Sequence, residues 1–153
     1  MTDPVPKSCL FCTLKGERIV GVNDLATAIR DAYPVSPGHT LIIPKRHVTS
    51  FFDTTTDERL AMFELLDNAK RELASSPLDM NPEQTSFPLA GEDGGAGADE
   101  RPAAFNIGIN DGALAGQTVM HVHMHLIPRY AGDTSDPRGG IRKIFPAKAK
   151  YWK

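Results

Sequence analysis

Residues 121–126, His-Val-His-Met-His-Leu, alternate three histidines with three apolar residues. Because successive side chains of a β-strand point to opposite faces, this period of two predicts a strand with His121, His123 and His125 on one face, about 7 Å apart. The apolar residues would occupy the other face and pack into a core. A half-buried strand with a solvated histidine face gives the same alternation, but such a face seldom consists of histidine alone. We expect the strand to run from about Val119 to Ile127.

The turn before this strand offers hydrogen-bonding groups of several kinds. Gly116 lets the backbone approach a ligand closely. Gln117 carries an amide, and Thr118 carries a hydroxyl, and each can both donate and accept. Backbone amides, an amide side chain and imidazoles that converge on one place suit an oxyanion, most simply a phosphate.

The combined pattern Gly-Gln-Thr-Val-x-His-x-His-x-His-x-Ile-Pro-Arg resembles the signature of the histidine triad (HIT) superfamily of nucleotide hydrolases and transferases. The resemblance runs from about Cys9 to the C-terminus, with an interruption at residues 78–103. It implies an α+β, HIT-like fold: an antiparallel sheet of about five strands with one main helix packed on it. It also implies a homodimer whose two sheets join into one.

The same resemblance implies that His123 is the nucleophile. It would attack an α-phosphate of a dinucleoside polyphosphate or a related nucleotide conjugate, and water would hydrolyse the nucleotidyl-histidine intermediate. The residues expected to hold the phosphate oxygens are His125, Asn110, Gly116, Gln117 and Thr118. The run Asp-Pro-Arg-Gly-Gly at 136–140 resembles bacterial members related to the fragile histidine triad branch, which favours dinucleoside polyphosphates. Adenosine is expected from the resemblance alone.

Two further residues resemble supporting positions of the family. Asp31 corresponds in the resemblance to a residue that contacts the ribose, a role that suits a carboxylate, which can accept two vicinal hydroxyls. A turn-forming aspartate is the alternative interpretation. His39 corresponds to a histidine that braces the triad by hydrogen bonding, and an ordinary strand histidine is its alternative.

The pair Cys9-x-x-Cys12 is typical of a metal site or a redox site, and it also arises by chance. A redox pair belongs at a helix N-terminus after a strand, a context absent here. With five histidines in the chain, a Cys₂His₂ zinc site is arithmetically possible. Some members of the resembling family hold structural zinc with residues that correspond to Cys9, Cys12, His47 and His121. We expect zinc at these four residues, with a metal-free cysteine pair as the alternative.

Hydrophobic periodicity supplies the remaining elements. Thr55 and Glu58 form a capping-box pattern, and apolar residues then recur at helical spacing, which predicts a helix from about Thr56 to Ala74. The predicted strands besides the triad strand are Ile19–Val22, Leu25–Arg30, His39–Ile43 and Ala104–Ile109.

The 153 residues suffice for a single domain over 1–153. Residues 1–8 are expected to form a flexible arm. Residues 78–103, rich in proline, glycine and acids, cannot bury enough apolar surface to offset ordering entropy, so we expect a mobile insertion loop. An insertion without function is one interpretation, and a functional role stays open. The basic C-terminal segment, 129–153, could meet polyphosphate and a base through its aromatic neighbours, or could be a solvated tail.

The net charge of −2 implies no bulk attraction to nucleic acid or to a membrane surface. No apolar run approaches the ~20 residues that span a bilayer, and the N-terminus lacks the apolar core of a signal peptide. We therefore expect a cytoplasmic protein whose cysteines are thiolates or metal ligands. Its expected partners are a nucleotide and a second copy of the chain.

Other functions stay open from the sequence. A nucleoside phosphoramidase would use the same residues. A nucleotidyl transferase of the galactose-1-phosphate type has glutamine where His125 stands, which favours hydrolysis here. A nucleotide-binding sensor or scaffold with vestigial activity would not need an intact His123. A metal-carrying histidine strand would leave the Gly-Gln-Thr turn without a purpose.

Overall fold

The computed structural model describes residues 9–14, 16–75 and 101–152. The predicted N-terminal arm and most of the predicted loop, residues 78–100, lie outside these ranges. Within them, the regular elements in chain order are β1 (Ile19–Val22), β2 (Ala26–Arg30), β3 (Thr40–Pro44), α1 (Thr56–Ser75), β4 (Ala104–Ile109), β5 (Met124–Arg129) and α2 (Pro146–Ala149), with short 3₁₀ turns between them.

The strands form one antiparallel sheet in the order β1-β2-β3-β5-β4. This arrangement, with α1 as the main helix, confirms the predicted α+β architecture. The predicted bounds of β1 and β4 match the structure, and those of β2, β3 and α1 differ by one residue at one or both ends. Strand β5 lies inside the sheet between β3 and β4, so its side chains are presented from a rigid support.

Helix α1 begins with the predicted capping box. The backbone N–H of Glu58 donates to Thr55 Oγ1 (3.2 Å), and the N–H of Thr55 donates to Glu58 Oε2 (2.8 Å). Two of the orphan amides at the helix start are thereby satisfied. The buried face of the helix then packs on the sheet through Met62, Leu65, Leu66, Ala69 and Leu73.

The alternation along β5 divides its side chains between the two faces of the sheet. Met124 and Leu126 are buried in the core cluster beneath α1. On the opposite face, a second cluster formed by Ile29, Leu41 and Ile43 is covered by Phe11 and Leu14. The segment around Phe11 therefore crosses the histidine-bearing face of the sheet and carries the two cysteines there.

The predicted extent of the triad strand, 119–127, is wrong, because β5 begins only at Met124. The pairings of β5 with both neighbours stop at this residue: Ile42 of β3 and Ile109, the last residue of β4, each pair with Met124, while β3 continues to Pro44 against β2 alone. The N–H of Val122 donates instead to the carbonyl of Val48, at 2.7 Å. Two of the three histidines thus precede the ladder.

Two arginines of the C-terminal segment, Arg138 and Arg142, contact aromatic rings of the same segment. The guanidinium of Arg138 lies over the ring of Trp152, 4.6 Å from its centroid, and that of Arg142 lies over Tyr151 at 4.9 Å. Arg129 pairs with Asp133 at 2.7 Å. The aromatic neighbours therefore hold the arginines by cation–π contacts, which neither of the expected roles of this segment anticipated. Within the described ranges, no helix is long and apolar enough to span a bilayer.

A buried ion pair fastens α1 to the β3–α1 connection and yields a test. Glu58 is 4% exposed and accepts from Arg46 at 2.8 and 2.7 Å. The hydrogen bond from Arg46 holds the pKa of Glu58 below its usual value of 4.5. Glu58→Gln should therefore lower the free energy of unfolding by about 1–3 kcal/mol in urea denaturation at neutral pH.

The same variant has a defined pH dependence. Because the folded-state pKa of Glu58 is lowered, its contribution is present above pH 4.5 and is lost as pH falls through the folded pKa. The difference between wild type and Glu58→Gln should shrink in that acidic window. Asp67→Asn, on the exposed face of α1, is the matched control and should change stability little. A pH-independent difference would show that the carboxylate charge is not the cause.

Candidate active site and metal site

Four predicted metal ligands come together at the edge of the histidine-bearing face. Cys9 Sγ and Cys12 Sγ each lie 3.5 Å from His121 Nδ1, and Cys12 Sγ lies 3.3 Å from His47 Nδ1. One ligand atom from each of the four residues lies within 4.8 Å of every other. The group can hold a metal ion.

The spacing of these atoms fits zinc. Tetrahedral bonds of about 2.3 Å to sulfur and about 2.0–2.1 Å to nitrogen place the sulfur and nitrogen ligands roughly 3.5 Å apart. The observed separations of 3.3–3.5 Å match this value. Two cysteines with two histidines form a donor set that zinc favours over magnesium or calcium.

His121 is held in the orientation that a ligand needs. It is fully buried, and its Nε2–H donates to the carbonyl of Pro44 at 2.8 Å. This bond places the proton on Nε2 and leaves the lone pair of Nδ1 directed at the cysteines. Metal-bound histidines commonly use their second nitrogen in this way.

Burial, followed by the hydrogen bond and charge of Cys9, raises the pKa of the Cys12 thiol to about 11. Burial also lowers the pKa of His121. Cys12 and His121 are therefore neutral in the metal-free cluster at physiological pH, and binding a divalent metal releases thiol protons.

His123 lies next to this cluster but is tied differently. Its Nδ1–H donates to the carbonyl of His121 at 2.9 Å, which leaves Nε2 as the unprotonated nitrogen of the neutral ring. The ring of Phe11 meets it edge-on, with centroids 5.1 Å apart. A fixed tautomer and a fixed ring plane make Nε2 an oriented nucleophile.

A pocket of about 670 Å³ opens in front of His123. This volume lies within the ordinary range for small-molecule sites. Of the predicted site residues, Asp31, Thr118, His123 and His125 line it. Its remaining walls are mostly apolar and come from Leu10, Phe11, Leu14, Ala32, Tyr33, Leu41 and Val119, with Thr13 and Arg18 as polar members.

His125 is hydrogen-bonded to His39 on the side of its ring that carries Nδ1. The two rings approach at 2.9 Å between His39 Nε2 and His125 Nδ1, and Nδ1 of His39 lies 3.3 Å from Asp31 Oδ2. Burial, reinforced by the charges of His123 and His39, lowers the pKa of His125 to about 4, so this ring is neutral near pH 7. His125 Nε2 is buried and has no hydrogen-bond partner among the described residues.

The Gly-Gln-Thr turn is shaped by its own hydrogen bonds. Gly116 has φ +97°, a conformation that favours glycine. The side-chain NH₂ of Gln117 donates to the carbonyls of Thr49 and Val119, and Oε1 accepts from the N–H of Gly112. Gln117 therefore fastens the turn, and its predicted contact with phosphate stays a prediction.

Asn110, a predicted phosphate ligand, lies against the same turn. A Cβ added to Gly116 would be 3.8 Å from Asn110 Nδ2. Two other residues near the site were missed by sequence reasoning. Phe11 lies between the two cysteines in the sequence, so the segment that places the cysteines in their cluster also places Phe11 at the pocket. Arg18 lines the pocket and donates to the carbonyl of Arg30 at 3.3 Å.

The geometry agrees with the family comparison. The HIT domain model matches residues 15–132. The chain belongs to the histidine triad family. Within that family, an uncharacterized 16.1 kDa HIT-like protein from Mycoplasma pneumoniae is 35% identical to this chain over 127 residues, which cover 80% of this chain and 72% of the relative.

Two similar proteins with named activities are longer. The asymmetrical bis(5'-nucleosyl)-tetraphosphatase of Schizosaccharomyces pombe is 31% identical over 133 residues, which cover 86% of this chain and 60% of that protein. An adenylylsulfatase of Arabidopsis thaliana is 32% identical over 129 residues, with coverage of 82% and 54%. The similar proteins therefore include one named as a tetraphosphatase and one named as an adenylylsulfatase.

Solved structures agree with the fold. A HIT family protein from Bacillus anthracis superposes with a TM-score of 0.60 at 28% identity, covering 83% of this chain and 77% of that chain. A zinc-bound histidine triad family protein from Mycobacterium smegmatis superposes with a TM-score of 0.55 at 28% identity, covering 84% and 80%.

Loss of a ligand from the cluster of Cys9, Cys12, His47 and His121 should lower the thermal stability of the protein. Cys12→Ser removes one ligand, so the metal content of the purified protein should fall and the thermal midpoint should drop, because binding energy of a structural metal is also folding energy. Removal of metal from the wild type with a chelator should lower the midpoint, and added zinc should restore it. Ser75→Ala, at the end of α1, is a control outside the cluster.

Elemental analysis with differential scanning calorimetry checks this prediction. Wild-type protein purified without chelator that contains no metal, and whose midpoint ignores added zinc, would contradict it.

Proposed function

We propose that this histidine triad protein hydrolyses dinucleoside polyphosphates, or related nucleotide conjugates, at the α-phosphate through a nucleotidyl-histidine intermediate. The observation that carries the proposal is the anchoring of His123 Nδ1 on the His121 carbonyl at 2.9 Å. This bond places the proton on Nδ1 and leaves the lone pair on Nε2, and the ring lines the pocket.

The reaction proceeds in two displacements. In the first, the lone pair of His123 Nε2 forms a bond to the α-phosphorus, and the bond to the leaving polyphosphate breaks. The carbonyl of His121, still accepting from Nδ1–H, stabilises the positive charge that develops on the ring. In the second, water attacks the same phosphorus, the nitrogen–phosphorus bond breaks, and a nucleoside monophosphate leaves.

Charge on the non-bridging oxygens needs oriented donors. His125 supports this role because its Nε2 is the one triad nitrogen that is buried without a partner among the described residues. Thr118 lines the same pocket and offers its hydroxyl. Asn110 and the backbone at Gly116 complete the proposed phosphate site, and Gln117 keeps their loop in place. Such donors act most strongly where water is excluded.

The nucleoside would occupy the apolar part of the pocket. Leu10, Phe11 and Leu14 offer a surface for the base, and Asp31 lies at the same wall, where it can accept from ribose hydroxyls. Adenosine is the proposed base. The family, rather than a particular side chain of this chain, supports that choice.

Zinc is the proposed occupant of the Cys9, Cys12, His47 and His121 group. It would supply structural rigidity at the root of the triad and takes no part in the two displacements. Thiolate ligands fit a reducing compartment, which supports the cytoplasm as the location.

A homodimer is the proposed assembly. Strand β4 forms one edge of the sheet, and its Ile107 is 49% exposed. Nearby apolar side chains of the C-terminal segment, Ile141, Ile144 and Phe145, are exposed as well. An open strand edge flanked by apolar side chains is a template for pairing with a second copy.

Adenylyl sulfate and nucleoside phosphoramidates are alternative substrates for the same residues. The similarity to the Arabidopsis adenylylsulfatase supports the first of these. A nucleotide-binding scaffold with vestigial activity is the alternative of another class. Measured turnover separates it from the enzymes.

A substrate panel with rapid quenching tests the proposed function. Dinucleoside polyphosphates, phosphoramidates and adenylyl sulfate are mixed with enzyme, and the quenched protein is analysed by mass spectrometry. We expect an adduct of one nucleotidyl group on His123. His123→Ala should lose at least ~10³-fold in rate while it still binds nucleotide, because nucleophile and binding groups are separate. His125→Ala should lose roughly 3–4 kcal/mol of transition-state stabilisation.

Lys70→Ala, on the exposed face of α1, is the control and should keep full activity. Stereochemistry provides an independent check. Two in-line displacements retain the configuration at the α-phosphorus. Inversion, or near-normal turnover by His123→Ala, would rule out His123 as nucleophile and favour direct attack by water.

A further inference from the structure

Three ionisable side chains form a row behind the proposed phosphate site. Asp31 follows β2, His39 precedes β3, and His125 lies on β5. His39 is 3% exposed and stands between the other two. Its Nδ1 lies 3.3 Å from Asp31 Oδ2, and its Nε2 lies 2.9 Å from His125 Nδ1.

These distances indicate a proton chain rather than a second metal site. One ligand atom from each of the three residues lies within 4.8 Å of every other, so spacing alone also admits a metal ion. The shortest contacts, however, use opposite nitrogens of His39, Nδ1 toward Asp31 and Nε2 toward His125. A separation of 2.9 Å between two imidazole nitrogens is that of a hydrogen bond, with one proton between them.

The position of that proton decides what His125 can do. A neutral imidazole carries one N–H. If His125 donates from Nδ1 to His39, its Nε2 is a bare lone pair, which repels a phosphate oxygen. If His39 donates, the single proton of His125 resides on Nε2, the atom without a partner among the described residues. Only the second arrangement gives a donor for the phosphate.

The other nitrogen of His39 has two competing neighbours. The N–H of Val35 lies 3.3 Å from Nδ1, in position to donate to a lone pair there. Asp31 Oδ2, also at 3.3 Å, requires a proton on Nδ1. When Nδ1 and Nε2 of His39 both carry protons, the ring satisfies Asp31 and donates to His125 at the same time.

We propose that Asp31 is a positioning residue whose carboxylate stabilises the doubly protonated ring of His39 when a nucleotide binds, so that His39 Nε2–H donates to His125 and His125 presents Nε2–H to the substrate phosphate. This inference rests on the proposed function. It assigns to Asp31 a role separate from a ribose contact. Asp31 Oδ1 already accepts from the N–H of Tyr33 at 2.9 Å, which fixes the carboxylate against His39.

Nucleotide binding should therefore take up a proton. Burial lowers the pKa of His39, Asp31 opposes this effect, and the charge of His123 reinforces it. The groups that face His39 are Asp31, His123 and His125, and Arg18 lines the same pocket. An anionic phosphate at His125 favours the cationic ring of His39, so its pKa rises in the complex, and affinity should increase as pH falls toward the pKa of free His39.

Calorimetry of AMP binding in buffers of different ionisation enthalpy measures this uptake. At about pH 8 the phosphate of AMP is fully ionised, since its second pKa is near 6. Wild type should take up a fraction of a proton per AMP bound, and Asp31→Asn should take up close to none. His39→Gln isolates the contribution of His39, because an amide can still donate to His125 but takes up no proton. AMP binding needs no turnover, so this test stands apart from failure of the proposed hydrolysis.

Kinetics distinguish positioning from ribose binding. Asp31→Asn keeps an oxygen for the N–H of Tyr33, so the fold should survive, and kcat should fall roughly tenfold to a hundredfold, less than the loss of a direct donor. The fall should be the same for ribonucleotide and 2',3'-dideoxynucleotide substrates. In the His39→Gln background, Asp31→Asn should cost nothing. Asp67→Asn is the matched control.

Each other outcome overturns the proposal. An effect of Asp31→Asn that is confined to KM and vanishes with dideoxy substrates would make Asp31 a ribose ligand only. Equal proton uptake in wild type and Asp31→Asn, or full additivity of Asp31→Asn with His39→Gln, would show that the carboxylate does not act through His39. Inhibition by added zinc that Asp31→Asn relieves would point to a metal site instead.

Discussion

The hydrogen bond from His121 Nε2 to the carbonyl of Pro44, at 2.8 Å, fixes the residue that links the cysteine–histidine group to His123. This bond ties the end of β3 to the segment that leads into β5, because Pro44 is the last residue of β3 and His121 precedes β5. It also determines the tautomer of His121, so Nδ1 faces the cysteines. The carbonyl of the same residue then anchors His123. Displacement of this one imidazole would move both groups.

One face of the sheet packs in the apolar core beneath α1, and the other face carries the residues of the candidate site. Met124 and Leu126 pack beneath α1 in the larger apolar cluster, where loss of a side chain costs packing energy. His125, between them, faces the other way. Burying an imidazole is costly unless its nitrogens are bonded, and His39 provides that bond behind the pocket. A strand with a period of two can serve both purposes, since its alternate residues never compete for the same space.

Local sequence determined the elements but not where the triad strand starts. The Thr55–Glu58 capping box and the periodicity of α1 are short-range signals, and they predicted the helix correctly. The start of β5 depends on where its pairings with β3 and β4 stop, which is a property of distant segments. The alternation of residue types alone extended the predicted strand back to Val119, because this pattern carries no information about the strands that pair with it.

The candidate site shows the same limit. Histidines two residues apart predicted a shared face, which is a local pattern. The cysteine spacing allowed a metal pair, and the family resemblance supplied the other two ligands. Phe11 was missed because a single aromatic residue between two cysteines forms no recognisable sequence pattern. Its contact with His123 is visible only in the folded structure. The complete bonding of Gln117 depends on Thr49, 68 residues away. Pairings over such distances become visible only in the folded chain.

Each of the three triad histidines uses at least one ring nitrogen in a hydrogen bond within the protein. His121 uses one on Pro44 and directs the other to the cysteines, and His123 commits one to a carbonyl. His125 commits one to His39 and keeps one without a described partner. Each ring is fixed by at least one bond before any substrate arrives, so binding need not order these side chains. That preorganisation removes an entropic cost from the reaction itself. It also explains why the chain tolerates so many buried imidazoles: the groups that fix the rings for chemistry are the same ones that satisfy them in the fold.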